Sequence, residues 1–205
     1  MQITPVTPDR LVDEVAELVD AHPGRVRLAV DGPPPTRPLT LAERVADVLR
    51  VRGRFAVVVS AGDFLRPASL RLEFGRENPD EFLDRWLDVG GLCREVLDPA
   101  GPGGSGRVLP RLWDAAADRA HRAAYTQLPD DGVVLLAGAL LLGRGLPLDL
   151  AVHLRMSEAA LARTLPAEER WTLPAYARYA EERSPDKHAD LVVYSDHPDR
   201  PAIRR

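Results

Sequence analysis

Two short apolar runs, at residues 26–30 and 55–59, flank one helical repeat, and this arrangement constrains the fold more than any other feature of the chain. The first run lies between Gly24 and Asp31-Gly32 and reads as a strand buried on both faces. Leu41, Val45, Val48 and Leu49 then recur at helical spacing as far as Gly53. Strand, helix and strand in that order form a βαβ unit, which predicts parallel strands joined by a right-handed crossover. Apolar runs at 133–136, 150–154 and 190–194 extend it to a mainly parallel five-stranded sheet. The expected architecture is a three-layer α/β/α domain, and 205 residues suit one such domain.

Helix signals surround these strands. Thr7 caps a helix with Pro8 in its first turn, carrying Leu11, Val12, Val15 and Val19 on one face, so residues 1–24 read as an N-terminal helix ended by His22-Pro23-Gly24. Asn78-Pro79 starts a helix through Phe82, Trp86 and Leu87, residues 92–97 form another, Ser157-Glu158 starts a third and 173–182 a fourth. The stretch 98–107 is turn-rich, and 108–113 and 122–127 are expected to pair beyond it as a ribbon. Residues from about 63 to 128 thus read as an insertion, and those from about 155 to 185 as a helical lid region.

Charge narrows the partners. The net charge of −4, from 27 basic and 31 acidic residues, offers no field for nucleic acid or an anionic membrane surface. The start Met-Gln-Ile-Thr-Pro-Val has no basic segment leading an apolar one, and the longest apolar run, 133–142, is half the roughly 20 residues a spanning helix needs. A lone cysteine, Cys93, fits a reducing compartment, so the expected location is cytoplasmic. Only Lys187 among the basic residues is lysine, which limits any lysine-dependent chemistry to that residue.

Ligands of open parallel sheets bind beyond the carboxyl ends of the strands, which directs attention to Gly32-Pro-Pro-Pro-Thr-Arg-Pro-Leu39. This loop has the position and length of a Walker A loop, G-x-x-x-x-G-K-S/T, whose backbone N–H groups wrap phosphate. Gly32 fits that pattern, but Arg37, Pro38 and Leu39 stand where the second glycine, the lysine and the magnesium-binding hydroxyl belong. Pro33, Pro34, Pro35 and Pro38 have no N–H to donate. Arg37 and Thr40 keep a phosphate contact open, against a solvated arginine and a Thr40–Glu43 capping box as the plainer readings. Lys187, far along the chain, is not expected to substitute.

Several strings resemble the uridine kinase-like branch of the P-loop kinases across nearly the whole chain. Leu28-Ala-Val-Asp-Gly32 followed by Thr40-Leu-Ala-Glu43 looks like that family's strand, loop and helix. Ser60-Ala-Gly-Asp-Phe-Leu-Arg-Pro67 is similar to its strand-end segment, and Gly75-Arg76, Asn78-Pro79-Asp80 and Phe82 to the stretch that follows. Asp98-Pro99 through Gly-Pro-Gly-Gly-Ser105 is the most distinctive match, and Ala189-Asp190-Leu-Val-Val193 with Asp196 and Pro198 resembles the closing strand. The resemblance implies a P-loop kinase fold, with Gly62 standing where the family's acid near the substrate hydroxyl belongs and the neighbouring Asp63 as its candidate replacement. It implies a substrate side at Phe64, Arg66, Arg76, Arg107, Arg111 and Asp114, and lid arginines at Arg155, Arg163 and Arg170. Ala137-Gly138 replaces the family's Walker B acid and glycine.

Other constellations are weaker. Gly101-Pro-Gly103-Gly-Ser-Gly106 satisfies G-x-G-x-x-G but follows a helix and precedes a strand, the reverse of a dinucleotide site. His22, His121, His153, His188 and His197 show no i, i+4 pairing, so no metal site is expected, and Ser60 lacks a nucleophile elbow. Cys93 reads as a buried inert thiol, and Trp86, Trp113 and Trp171 as core more than pocket. The expectation is a uridine kinase-like protein without conventional ATP and magnesium phosphotransfer, binding a nucleoside, nucleotide or other small molecule. Its alternatives are an unconventional kinase using ATP and magnesium with Arg37, Thr40 and Asp63, and a regulatory or scaffold protein with a protein partner.

Overall fold

A computed structural model describes residues 3–204. The strands are β1 (Ile3–Pro5), β2 (Val26–Asp31), β3 (Ala56–Ser60), β4 (Arg107–Val108), β5 (Trp113–Asp114), β6 (Arg119–Ala120), β7 (Thr126–Gln127), β8 (Val133–Gly138), β9 (Leu150–Arg155), β10 (Leu191–Tyr194) and β11 (Ala202–Arg204). The helices are α1 (Pro8–Asp20), α2 (Pro38–Val51), α3 (Ala68–Arg71), α4 (Pro79–Asp84), α5 (Val89–Leu92), α6 (Asp98–Ala100), α7 (Glu158–Thr164) and α8 (Leu173–Arg178). The main sheet runs β1-β11-β10-β9-β2-β8-β3. The expected strands β10, β9, β2, β8 and β3 are all present and parallel. The sheet has seven strands rather than five, because β11 adds antiparallel to β10 and β1 antiparallel to β11. Both extra strands are three residues long, too short for any period-2 signal.

Alternation along β2 explains the layers. Leu28 and Val30 point into a core shared with Val15 and Val19 of α1 and with Val45 and Leu49 of α2. Ala29 points to the opposite face, where it meets Leu83, Leu140, Ala175 and Tyr179. Phe64, Leu92, Val96 and Leu97 cover the rest of that face over Val134 and Leu136. Each fully buried leucine or phenylalanine here is worth about 1.5–3 kcal/mol, so the sheet is held from both sides.

The predicted caps form at Thr7, Asn78 and Ser157, each accepting a backbone N–H. The Thr40–Glu43 capping box does not. The helix starts earlier, at Pro38, behind Arg37 held at φ 57°, which leaves Thr40 exposed in the first turn. Pro38 at the first helical position is pre-set for this entry, and the left-handed Arg37 aims the chain into it. Residues 92–97 lie in a longer helical run, with a π turn at Cys93–Leu97 between α5 and α6. The expected pairing of 108–113 with 122–127 is met only by the short β4–β7 ladder, where Val108 faces Thr126, while β5 pairs instead with β6 at Arg119-Ala120. Asp114 draws the N–H groups of Ala116 and Ala117 into a tight turn between β5 and β6. Those hydrogen bonds, Ala117 first, hold its carboxyl below the usual aspartate range.

Candidate functional site

The loop after β2 is closed on itself. Gly32 N–H donates to the carbonyl of Gly138 (2.9 Å), Thr36 N–H to that of Pro33 (2.9 Å) and Arg37 N–H to that of Pro34 (3.0 Å). The remaining positions from 33 to 35 are prolines, so no backbone donor from 32 to 37 is left for an anion. Thr36 is buried, and its hydroxyl donates to Pro33 O at 2.7 Å. A methyl group on Gly32 would lie 2.5 Å from that hydroxyl oxygen, 2.8 Å from Leu154 Cβ and 2.9 Å from Leu154 O. The loop's own threonine thus packs directly against Gly32. Arg37 turns outward, pairing with Asp199 at 3.4 Å on the surface.

A cavity of about 540 Å³ opens beside this loop, a volume suited to a small ligand. Its walls come from the ends of β2 and β9, from α7 and α8, and from the turn after residue 183. Leu140, Met156, Leu161 and Tyr176 line its apolar side. Burial pushes the Tyr176 hydroxyl up, out of its ordinary range. Lys187 lies on the wall with Gly32. Distance along the chain is a poor guide to it, because the turn at residues 184–187 packs against the end of β9, where Asp186 pairs with Arg155 at 2.9 Å.

At one end of the cavity lies a buried polar cluster. Asp31 is fully buried, and three donors converge on it: Leu141 N–H on Oδ1 (2.8 Å), and Tyr179 OH (2.9 Å) and His153 Nδ1 (2.7 Å) on Oδ2. Facing a carboxylate acceptor, Nδ1 carries the proton. Tyr179 OH also accepts from Leu142 N–H at 2.8 Å. Burial, then the nearby Asp31 charge, pushes that hydroxyl far above its usual range. Nε2 of His153 lies 3.7 Å from Asp186 Oδ1, beyond hydrogen-bond reach, and Asp186 is itself paired with Arg155 (2.9 Å) and Arg204 (3.1 Å). Sequence reasoning missed this cluster because Asp31 and His153 are separated by 122 positions. Spacing along the chain carries no sign of such a pair.

The sequence-derived site residues scatter by comparison. Gly32 and Arg155 line the cavity, while Arg37 and Thr40 line a separate shallow cleft with Asp199. Asp63 stands 3.3 Å from His121 Nε2, away from the cavity. Phe64 is buried in the core and Arg66 donates its N–H to Trp86 O. Arg76 and Arg111 are exposed, and exposed Arg107 stacks 4.0 Å over the ring of Tyr125. Arg163 and Arg170 are also exposed. Among the described residues no cluster of three or more His, Cys, Asp or Glu is arranged to hold a metal ion, and no helix is long and apolar enough to cross a membrane.

No protein-family model and no curated protein sequence matches the chain. Solved structures do. A Bacillus stearothermophilus protein described as a possible uridine kinase is 21% identical, with a TM-score of 0.72 over 90% of this chain and 97% of that one. A candidate fructose transport system kinase from Silicibacter sp. TM1040 is 24% identical, with a TM-score of 0.63 over 91% of this chain and 98% of that one. The YGR205w protein is 11% identical, with a TM-score of 0.61 over 95% of this chain and 98% of that one. The chain has the P-loop kinase-like fold of these proteins.

Proposed function

We propose that this P-loop kinase-like chain does not perform conventional ATP- and magnesium-dependent phosphoryl transfer, and that its cavity binds a nucleoside, a nucleotide or another small molecule. The observation that carries the reading is the self-satisfied loop after β2, where each backbone N–H from 32 to 37 is either missing or already donated. Phosphoryl transfer depends on positioned donors and cations at the reacting phosphate, and losing one such donor typically costs about 2.7–4 kcal/mol of transition-state stabilisation. Here the backbone donors and the loop lysine are lost together. The absence of an acid at the end of β8, where Ala137-Gly138 stands, supports the same reading.

A kinase built instead on Arg37, Thr40 and Asp63 would need those groups to converge. Arg37 and Thr40 face a cleft with Asp199, while Asp63 sits by His121. The test is transfer of labelled γ-phosphate from ATP with magnesium to a panel of nucleosides and sugars, run beside thermal unfolding with the same compounds. The expected result is no labelled product and a thermal shift with at least one small ligand. Magnesium-dependent labelling of any acceptor overturns the proposal.

A further inference from the structure

Two acceptor atoms face each other at the end of the cavity with no hydrogen between them. Nδ1 of His153 donates its proton to Asp31 Oδ2 at 2.7 Å, so Nε2 presents a lone pair. The side chain is 8% exposed and lines the cavity, as does Asp186. Asp186 Oδ1 stands 3.7 Å from Nε2. Arg155 and Arg204 both direct their hydrogen bonds to the other oxygen, Asp186 Oδ2, at 2.9 and 3.1 Å. Among the described residues, neither Nε2 nor Oδ1 receives a hydrogen bond. Polar atoms left unpaired in this way are points where a ligand completes the hydrogen bonding.

One atom serves both acceptors only if it carries two hydrogens. A hydroxyl satisfies one and leaves the other bare, and a carboxylate brings a third set of lone pairs to the first two. A nitrogen about 2.9 Å from each acceptor, an ordinary N–H hydrogen-bond length, fits over the 3.7 Å gap. The charges on the wall agree, since Asp31, Glu158 and Asp186 outnumber Arg155 and Lys187 and so disfavour an anion. A water also carries two hydrogens, but it leaves Leu140, Met156, Leu161 and Tyr176 of the same cavity uncovered.

We propose that the cavity binds a small molecule bearing a primary amine or primary amide on an apolar body, and that its nitrogen donates one hydrogen to His153 Nε2 and another to Asp186 Oδ1. The apolar body packs on Leu140, Met156, Leu161 and Tyr176. This rests on the reading of the cavity as a small-ligand site, and is independent of whether phosphoryl transfer is lost.

The experiment is calorimetric titration of the full chain with benzylamine, benzamide, benzyl alcohol and benzoate, which share one apolar ring and differ in the hydrogens they can donate. Benzylamine or benzamide is expected to bind about tenfold more tightly than benzyl alcohol, the worth of one hydrogen bond to a charged group, and benzoate more weakly still. Which of the two binds better tells an ammonium ligand from a neutral amide. In Asp186→Ala the preference over the alcohol disappears, a change in ratio that general damage to the cavity does not produce. Should that variant fail to fold, ¹⁵N NMR of the histidine-labelled parent gives a second readout. The Nε2 resonance of His153, assigned by its loss in His153→Gln, is expected at the unprotonated position in the free chain and shifts toward the protonated one as the nitrogen ligand binds. A protonated Nε2 in the free chain overturns the inference. Equal binding of the alcohol or benzoate also overturns it and leaves the small-ligand reading standing. No binding by any of the four overturns it too, while the nucleosides and sugars of the transfer and unfolding assays judge that reading separately.

Discussion

Replacing Gly32 by alanine tests whether the loop after β2 is packed as described. The new methyl would stand 2.5 Å from the Thr36 hydroxyl oxygen, 2.8 Å from Leu154 Cβ and 2.9 Å from Leu154 O. All three are closer than real Cβ atoms come to their neighbours. The threonine can turn away, at the loss of its 2.7 Å hydrogen bond to Pro33 O. The Leu154 atoms cannot, since that residue is buried in β9, paired with β10 and close against the loop. Overpacking of a well-filled site costs about 1–3 kcal/mol, and contacts with a Cβ and a backbone atom put this substitution near the upper end, at about 3 kcal/mol. For a chain of this size each kcal/mol moves the unfolding midpoint by about 2–4 °C, so the expected drop is about 6–12 °C. Thr36→Ala alone loses one buried hydrogen bond, worth about 1 kcal/mol. In the double variant the 2.5 Å clash disappears while the Leu154 contacts stay, so the two effects sum to less than their separate values. Thermal and urea unfolding of the four proteins measure this cycle. A Gly32→Ala midpoint within about 2 °C of the parent would refute the closed loop.

Two further substitutions probe polar contacts made to β2. Asp149 accepts from Arg27 through Nε (2.9 Å), NH2 (2.7 Å) and the backbone N–H (2.8 Å). Burial opposes its ionisation, but the Arg27 hydrogen bonds and charge outweigh it and hold the carboxyl below its usual range. A depressed folded value means the stabilisation is present above the ordinary aspartate value of about 3.9 and is lost as pH falls through the folded value. Asp149→Asn is therefore expected to cost about 1–2 kcal/mol at pH 7, discounted for the partly exposed carboxylate, and less in acid, as melts at pH 7 and pH 3 would record. Tyr179→Phe leaves Leu142 N–H and one Asp31 contact without the hydroxyl, at an expected cost of about 2 kcal/mol by urea unfolding.

Much of the fold was legible because its signals are local. The five parallel strands are apolar runs with turn residues at their ends, and Thr7, Asn78 and Ser157 cap helices by contacts within three residues. The loop's loss of donors was also readable, since it follows from which residues are proline. What sequence could not supply is what long-range geometry builds. β1 and β11 exist by pairing across almost the whole chain, Ile3 with Arg204. Asp31, His153 and Tyr179 meet only because β2 and β9 are neighbours and the segment after α8 folds over their ends. Histidines judged by i, i+4 spacing therefore concealed the one that matters. Lys187, distant in sequence, reaches the cavity wall by the same route. Thr40 misled because a threonine three residues before a glutamate has the form of a cap, while Pro38 had already begun the helix.

The central claim is that the phosphate-loop position can no longer hold a nucleotide phosphate. Its most direct measurement is calorimetric titration of the chain with ATP in the presence and absence of magnesium at pH 7.5. The account predicts no magnesium-dependent heat up to about 1 mM ATP, where an affinity of only about −4.1 kcal/mol would already show. Magnesium-dependent binding with a micromolar Kd would contradict it, since that requires donors which the loop from Gly32 to Arg37 has already spent.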